Sequence, residues 1–194
     1  MGKKNLIDTK GKIVDAAWRL FYEQGYDETT IEDIIEESHT SKGSFYHYFD
    51  GKDALLGSLS YLFDRKYEEL EPTLSSYKTQ TEKLLFLNQE LFAMIENSIS
   101  LELLARLLST QLLTKGEKHL LDRNRLYFRL LRKIFREGQE QGEFTTEFSL
   151  NELIKLYAVS ERALMYDWCM CNGEYSLKNY SGRVMPLFLS KIIL

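Results

Sequence analysis

What this sequence is short of narrows the answer first. Its 194 residues include only 2 prolines and 11 glycines, so few positions break a helix and long helices are expected. No stretch alternates apolar and polar residues at a period of two, which argues against half-buried strands. No apolar run reaches the ~20 residues of a membrane-crossing helix, and none at the start resembles a signal peptide. No membrane partner is expected, and the expected location is cytoplasmic. The 2 cysteines are Cys169 and Cys171. At i, i+2 on a helix they point about 200° apart, so they neither bridge each other nor chelate one metal, and they read as packing thiols. His39, His47 and His119 show no metal spacing. Phosphate loop, dinucleotide glycine pattern and nucleophile elbow are missing. No catalytic residue, metal or cofactor is therefore expected, and the chain is not read as an enzyme.

Excess positive charge is lacking too. The net charge is −4, and residues 1–52 hold seven basic against ten acidic side chains. A nucleic-acid binder with this balance must place its cations locally. Lys42 and Lys52 stand close together in the sequence, and Lys3, Lys4, Lys10 and Lys12 cluster near the start. With 44% hydrophobic and 28% charged residues, the chain is a folding globular sequence rather than a disordered one. Its length suffices for one large or two small domains.

Residues 29–56 organise the rest. Ile31, Ile34 and Ile35 recur at i, i+3, i+4, giving a short helix one apolar face, and Thr29 and Thr30 can cap its start. Residues 38–41 suit a turn followed by a new N-cap. Phe45, Tyr48 and Phe49 repeat the same spacing, so a second short helix has a buried aromatic side. That leaves Lys42 and Tyr46 on one outward strip and Gly43 and His47 on the next, with Ser41 and Ser44 at the N-terminal end. A short helix with an apolar back, a cation, small residues and hydrogen-bonding side chains suits a DNA major groove. Upstream, Ile13, Ala16, Ala17, Leu20 and Phe21 form one stripe of a helix from Asp8 to Gln24, with Gly25 where a left-handed cap is wanted.

The runs TIEDII, SKGSFYHYF and GKDALL, together with the Leu20-Phe21-x-x-x-Gly25-Tyr26 ending, resemble the DNA-binding motif of the TetR family of bacterial transcriptional regulators. Two departures stand out. Ile35 replaces a usual small Ala, and Ser38-His39-Thr40 replaces Ala-Gly-Val, so His39 must take the turn conformation of the family glycine. The resemblance covers about a quarter of the chain. It implies an all-α fold, with a three-helix domain over residues 1–50 and a helical ligand-binding and dimerisation domain over 51–194. It further implies DNA contacts from Thr30, Ser41, Lys42, Gly43, Ser44, Tyr46, His47 and Lys52, with Lys42, Gly43 and Ser44 nearest the bases and Thr30 and Lys52 on phosphates.

Downstream, Asp50 offers an N-cap for an apolar-faced rod, Gly51–Glu71, about 30 Å long, which Pro72 stops. Residues 73–81 read as a loop. Helical runs follow at Thr81 to Asn97, Leu101 to Leu113 and Arg123 to Gln141. Phe86, Phe92, Met94, Tyr127 and Phe128 are candidates to line an effector pocket, although such a stripe equally suits plain core. No cluster of charges is visible in these runs, so a small, largely apolar effector is expected. Leu150, Leu153, Ile154, Tyr157, Ala158, Leu164, Met165 and Trp168 form a stripe broken only by Glu161. Residues 176–194 are apolar over more than one face, and Pro186 should kink them or need a partner. Two faces need two partners, so a homodimer through residues 150–194 is expected.

The resulting reading is a dimeric regulator that binds a palindromic operator in double-stranded DNA, with repression relieved by a ligand. Two alternatives differ in class. One is a DNA-bound helical scaffold controlled by a protein partner, the other a helical ligand-binding protein or enzyme with a vestigial motif.

Overall fold

The computed structural model describes residues 2–113, 115 and 118–194, with side chains from Thr9 onward; the Lys3 and Lys4 side chains lie outside the described residues. The chain is all-α. Helices α1 (Gly2–Glu23), α2 (Ile31–Glu37) and α3 (Lys42–Tyr48) form the N-terminal unit. After them come α4 (Lys52–Leu56), α5 (Leu59–Leu70), a 3-10 segment (Glu71–Ser76), α6 (Gln80–Ser98), α7 (Leu101–Leu113) and a 3-10 turn (His119–Leu121). The chain closes with α8 (Leu126–Glu140), α9 (Leu150–Met170) and α10 (Leu177–Leu189). No described helix is long and apolar enough to cross a membrane.

The three-helix unit packs Ile13, Ala17, Phe21, Ile34, Phe45 and Phe49 around one centre, all buried. Gly25 takes φ 91° after α1, a conformation that costs little only without a Cβ. Val14 and Trp18 are buried as well, which widens the apolar face of α1 beyond the stripe read from sequence.

Three expectations need correcting. The Gly51–Glu71 rod is two helices, because at Gly57–Ser58 the hydrogen bonds tighten to Ser58 N to Leu55 O and Tyr61 N to Ser58 O. There the Ser58 hydroxyl donates to Leu55 O, a side-chain bond that competes with regular helix. Gly51, not Asp50, is the cap residue of α4, without a side-chain cap. Of the expected loop 73–81, residues 73–76 belong to the 3-10 segment Glu71–Ser76, with Ser75 and Ser76 hydroxyls donating to Pro72 O and Thr73 O.

In the C-terminal part α10 lies along α6, where small residues permit close approach. A Cβ on Gly182 would stand 3.0 Å from Gln89 Nε2, and buried Ser181 accepts from that same nitrogen at 3.0 Å. The last helix ends at Leu189 rather than continuing to Leu194. Its tail pairs instead with residues 143–145, through Thr145 N to Ile192 O at 2.8 Å and Leu194 N to Glu143 O at 3.0 Å. Pro186 sits within the last turn of α10, where the carbonyl it leaves unbonded in the helix is that of Gly182.

Candidate DNA-binding and effector sites

Each helix of the proposed reading motif is capped by its own sequence. Thr30 Oγ1 accepts from Asp33 N at 3.1 Å while Asp33 Oδ2 accepts from Thr30 N at 2.8 Å, a closed capping box. Thr29, by contrast, is buried and donates its hydroxyl to Gly25 O at 2.7 Å. Between α2 and α3 the chain turns through His39 at φ 52°, the left-handed conformation that the sequence demanded of it. Ser41 then caps α3 by accepting from Ser44 N at 3.0 Å.

The capping fixes which way α3 faces. Phe45 is fully buried and its ring sits 5.9 Å from that of Phe49. Opposite, Ser41, Lys42, Gly43, Tyr46 and His47 are exposed, with Ser44 half-buried. These six positions and Thr30 therefore share one outward surface. Lys42 Nζ lies 3.1 Å from Glu32 Oε1 on α2. That hydrogen bond holds the Glu32 carboxyl below its usual range and raises the Lys42 ammonium.

Lys52 is engaged by the α1–α2 loop. Its ammonium donates to three carbonyls, Tyr26 O at 2.7 Å, Thr29 O at 3.0 Å and Asp27 O at 3.2 Å. It also sits 4.4 Å from the centroid of the Tyr26 ring. All three ammonium protons are thus spoken for, and Lys52 braces the α1–α2 loop. Tyr26 in turn donates its hydroxyl to Asp53. From α7, Arg106 reaches the same ring at 4.9 Å and pairs with Asp27 at 2.7 Å. Burial and the Asp53 carboxylate push the Tyr26 hydroxyl well above its ordinary range, so it stays a donor. Sequence reasoning missed this joint because its members lie up to 80 residues apart, from Tyr26 to Arg106.

The pocket candidates scatter. Phe92 is fully buried core, Phe86 packs its ring 4.7 Å from Tyr77, and Met94 is half-buried against the core. Tyr127 and Phe128 do border cavities, though different ones. Tyr127 borders a small half-open cavity of about 30 Å³ whose mostly apolar walls include Phe63, Leu91 and Met165 beside Tyr67, Arg125 and Glu161. Phe128 borders an outer cleft of about 280 Å³ between α8 and α9.

Glu161, which interrupts the inward stripe of α9, is buried. It accepts from Tyr127 Oη at 2.6 Å and from Asn88 Nδ2 at 2.9 Å. Burial raises its carboxyl above the ordinary value of 4.5, against the pull of these hydrogen bonds. Two neighbouring polar atoms, Tyr67 Oη and Asn88 Oδ1, are buried without a partner among the described residues. Each costs about 1–3 kcal/mol if left dry. Close by, Arg125 binds Asp64 at 2.9 and 3.1 Å and Ser60 O at 2.9 Å, tying the start of α8 to α5.

The outer cleft overturns the expectation that the helical runs hold no charge cluster. Arg123, Arg132, Lys155 and Arg162 line it together with apolar Leu121, Phe128 and Ile154, and its described walls include no acidic side chain. In sequence these cations are spread over some 40 residues, and only the packing of α8 against α9 gathers them. Ala158 and Arg162 border both this cleft and the small half-open cavity.

Two exposed apolar stripes remain on the last helices. On α9 they are Leu156, Val159, Ala163 and Met170, and on α10 Tyr180, Leu187 and Phe188, with Val184 half-buried between them. The α9 stripe read from sequence faces inward instead, into the protein's own core. Partial burial pushes the Cys169 thiol up to about 11, as suits a packing thiol.

Comparison with known proteins gives two consecutive matches that meet between residues 59 and 63. Residues 13–59 match the model described as bacterial regulatory proteins, tetR family, and residues 63–191 match that of the YsiA-like protein, C-terminal region. An HTH-type transcriptional regulator of Lactococcus lactis subsp. lactis is 52% identical over 48 residues, 25% of this chain and 24% of that protein. The chain spans about a fifth to a quarter of the length of the curated relatives matched over this segment. The fatty acid metabolism regulator protein of Bacillus subtilis (strain 168) is 24% identical over 185 residues, 93% of this chain and 94% of that one. A crystal structure of the transcriptional regulator FadR from Bacillus subtilis in complex with stearoyl-CoA shares the fold. Its TM-score is 0.71 at 23% identity, over 93% of this chain and 98% of that one.

Proposed function

This chain belongs to the tetR family of bacterial regulatory proteins, and we propose that it is a dimeric repressor whose hold on a palindromic operator is relieved by an amphipathic anion. Residues 1–50 form the DNA-binding domain and residues 51–194 the effector and dimerisation domain. The observation that carries the DNA reading is the face of α3, anchored by buried Phe45 and Phe49, with Lys42, Gly43, Tyr46 and His47 turned outward. Lys42, Gly43 and Ser44 meet base edges in the major groove, Tyr46 and His47 the backbone or adjacent bases, and Thr30 and Ser41 the phosphates at the flank. Lys52 supports them indirectly, by fixing the α1–α2 loop.

Dimerisation uses the exposed stripes of α9 and α10, which set the two copies of α3 the ~34–36 Å apart that consecutive major-groove turns require. The effector is amphipathic rather than purely apolar. Four cations around an apolar cleft suit an anionic head with a hydrocarbon tail. A relative of the same fold was solved with stearoyl-CoA and another, from Thermus thermophilus, with lauroyl-CoA, so an acyl thioester of coenzyme A is the proposed class. Occupying the site moves α5, which carries Asp64 and Tyr67, and the shift reaches α4 through the Gly57–Ser58 joint. Linkage makes the effect reciprocal, at about 1–3 kcal/mol in typical systems.

The test is fluorescence anisotropy of a labelled operator duplex held by the full chain and titrated with palmitoyl-CoA. Release of the DNA at concentrations below micelle formation is expected. A complex that stays intact while the thioester binds overturns the coupling.

A further inference from the structure

Resting on the acyl-thioester reading, we propose that the small half-open cavity beside Tyr67 and Glu161 is a hydroxyl-recognition subsite, selecting an effector whose acyl chain carries a hydroxyl over one that is all methylene. Its volume of about 30 Å³ leaves room for a water-sized polar group. The chemistry around it is mismatched to hydrocarbon. Tyr67 Oη and Asn88 Oδ1 are buried without partners among the described residues, and the Glu161 carboxylate retains lone pairs beyond the two bonds it accepts from Tyr127 and Asn88.

A methylene at this point leaves every one of those atoms dry. A charged group of either sign would meet a like charge there, since Arg125, Arg162 and Glu161 all line the walls. A neutral hydroxyl suits these walls, accepting from Tyr67 Oη and donating to Glu161. Ala158 and Arg162 border both this cavity and the basic cleft, so the two spaces are neighbours. The anionic head then stays on Arg123, Arg132 and Lys155 while the tail enters past Ala158.

Sites built to hydrogen-bond a hydroxyl reject the analogue lacking it far more strongly than apolar pockets discriminate by size. The measurement is isothermal titration of the full chain with palmitoyl-CoA and with hydroxypalmitoyl-CoA isomers bearing the hydroxyl near the thioester, mid-chain or at the terminus. At least one isomer is expected to bind roughly tenfold or more tightly than palmitoyl-CoA, and Tyr67→Phe is expected to abolish that advantage. Glu161→Gln carries the same comparison if Tyr67→Phe fails to fold. Equal binding of all the thioesters overturns the hydroxyl subsite and leaves the acyl-thioester reading standing. Binding of none overturns both. A hydroxyl preference that survives Tyr67→Phe and Glu161→Gln unchanged places the recognition elsewhere and overturns the assignment.

Discussion

Trp18 Nε1 donates to Ser58 Oγ at 2.9 Å, and with both residues buried this bond ties α1 of the DNA-binding unit to the joint between α4 and α5. The same hydroxyl donates onward to Leu55 O, so one oxygen serves both the domain contact and the break in the helix. Ser58→Ala strands the indole N–H in the interior and should cost about 1–3 kcal/mol of stability. It should also weaken the coupling between effector and operator, since the joint loses its tether. Urea unfolding and an operator titration with and without effector read the two effects. Unchanged stability together with unchanged coupling contradicts the role given to this bond.

At the head of α3, Lys42, the proposed base contact, is paired with Glu32 at 3.1 Å. Lys42→Ala should weaken operator binding by about 1–3 kcal/mol. Glu32→Gln should act the other way, raising affinity for any duplex and steepening its salt dependence as one more cation becomes available to phosphate. Anisotropy titrations across a salt series separate the two. A Lys42→Ala protein that binds as the parent does removes α3 from the DNA.

The proposed dimer interface includes Leu187, which is 70% exposed on α10. Leu187→Asp should convert the dimer to monomer in sedimentation velocity without loss of helical signal. Val184 is a poorer site for the same charge, since it is half-buried against its own core and would test folding as well. A parent protein that sediments as a monomer at micromolar concentration ends the dimer proposal.

The buried Glu161 carboxyl makes stability depend on pH in a definite direction. Unfolded, the group titrates near 4.5, whereas burial raises it in the folded protein. As pH climbs from 4.5 through the folded value, the unfolded chain loses its proton first, so this residue's contribution to stability falls. Glu161→Gln removes the titration. Calorimetry should therefore show the melting temperature of Glu161→Gln gaining on the parent as pH rises through that window. A difference that stays constant, or shrinks with pH, contradicts the assignment.

How much of this could be read without coordinates followed from the range of the interactions. The helix-turn-helix was legible because each signal is local: Ser41 caps the helix that Phe45 anchors, Thr30 and Asp33 sit three residues apart, and His39 occupies a position whose backbone demand the neighbouring motif declares. The basic cleft was illegible, since Arg123, Arg132, Lys155 and Arg162 share no spacing until α8 and α9 pack. Lys52 looked like a phosphate ligand for its position before a helix, and only the folded α1–α2 loop brings three carbonyls to its ammonium. For α9 and α10 the excess of apolar surface was read correctly while the faces were not. Periodicity identifies stripes such as Leu153–Tyr157 and Leu156–Val159, but which of two turns inward is decided by the rest of the core.

The most direct test of the central claim is selection of bound sites by the full chain from a pool of random duplexes, followed by footprinting. A near-palindrome with half-sites about one helical turn apart, whose recovery is lost in both Lys42→Ala and Leu187→Asp, is the predicted result. Recovery of no symmetric site, or the same site bound equally well by both variants, would contradict the account.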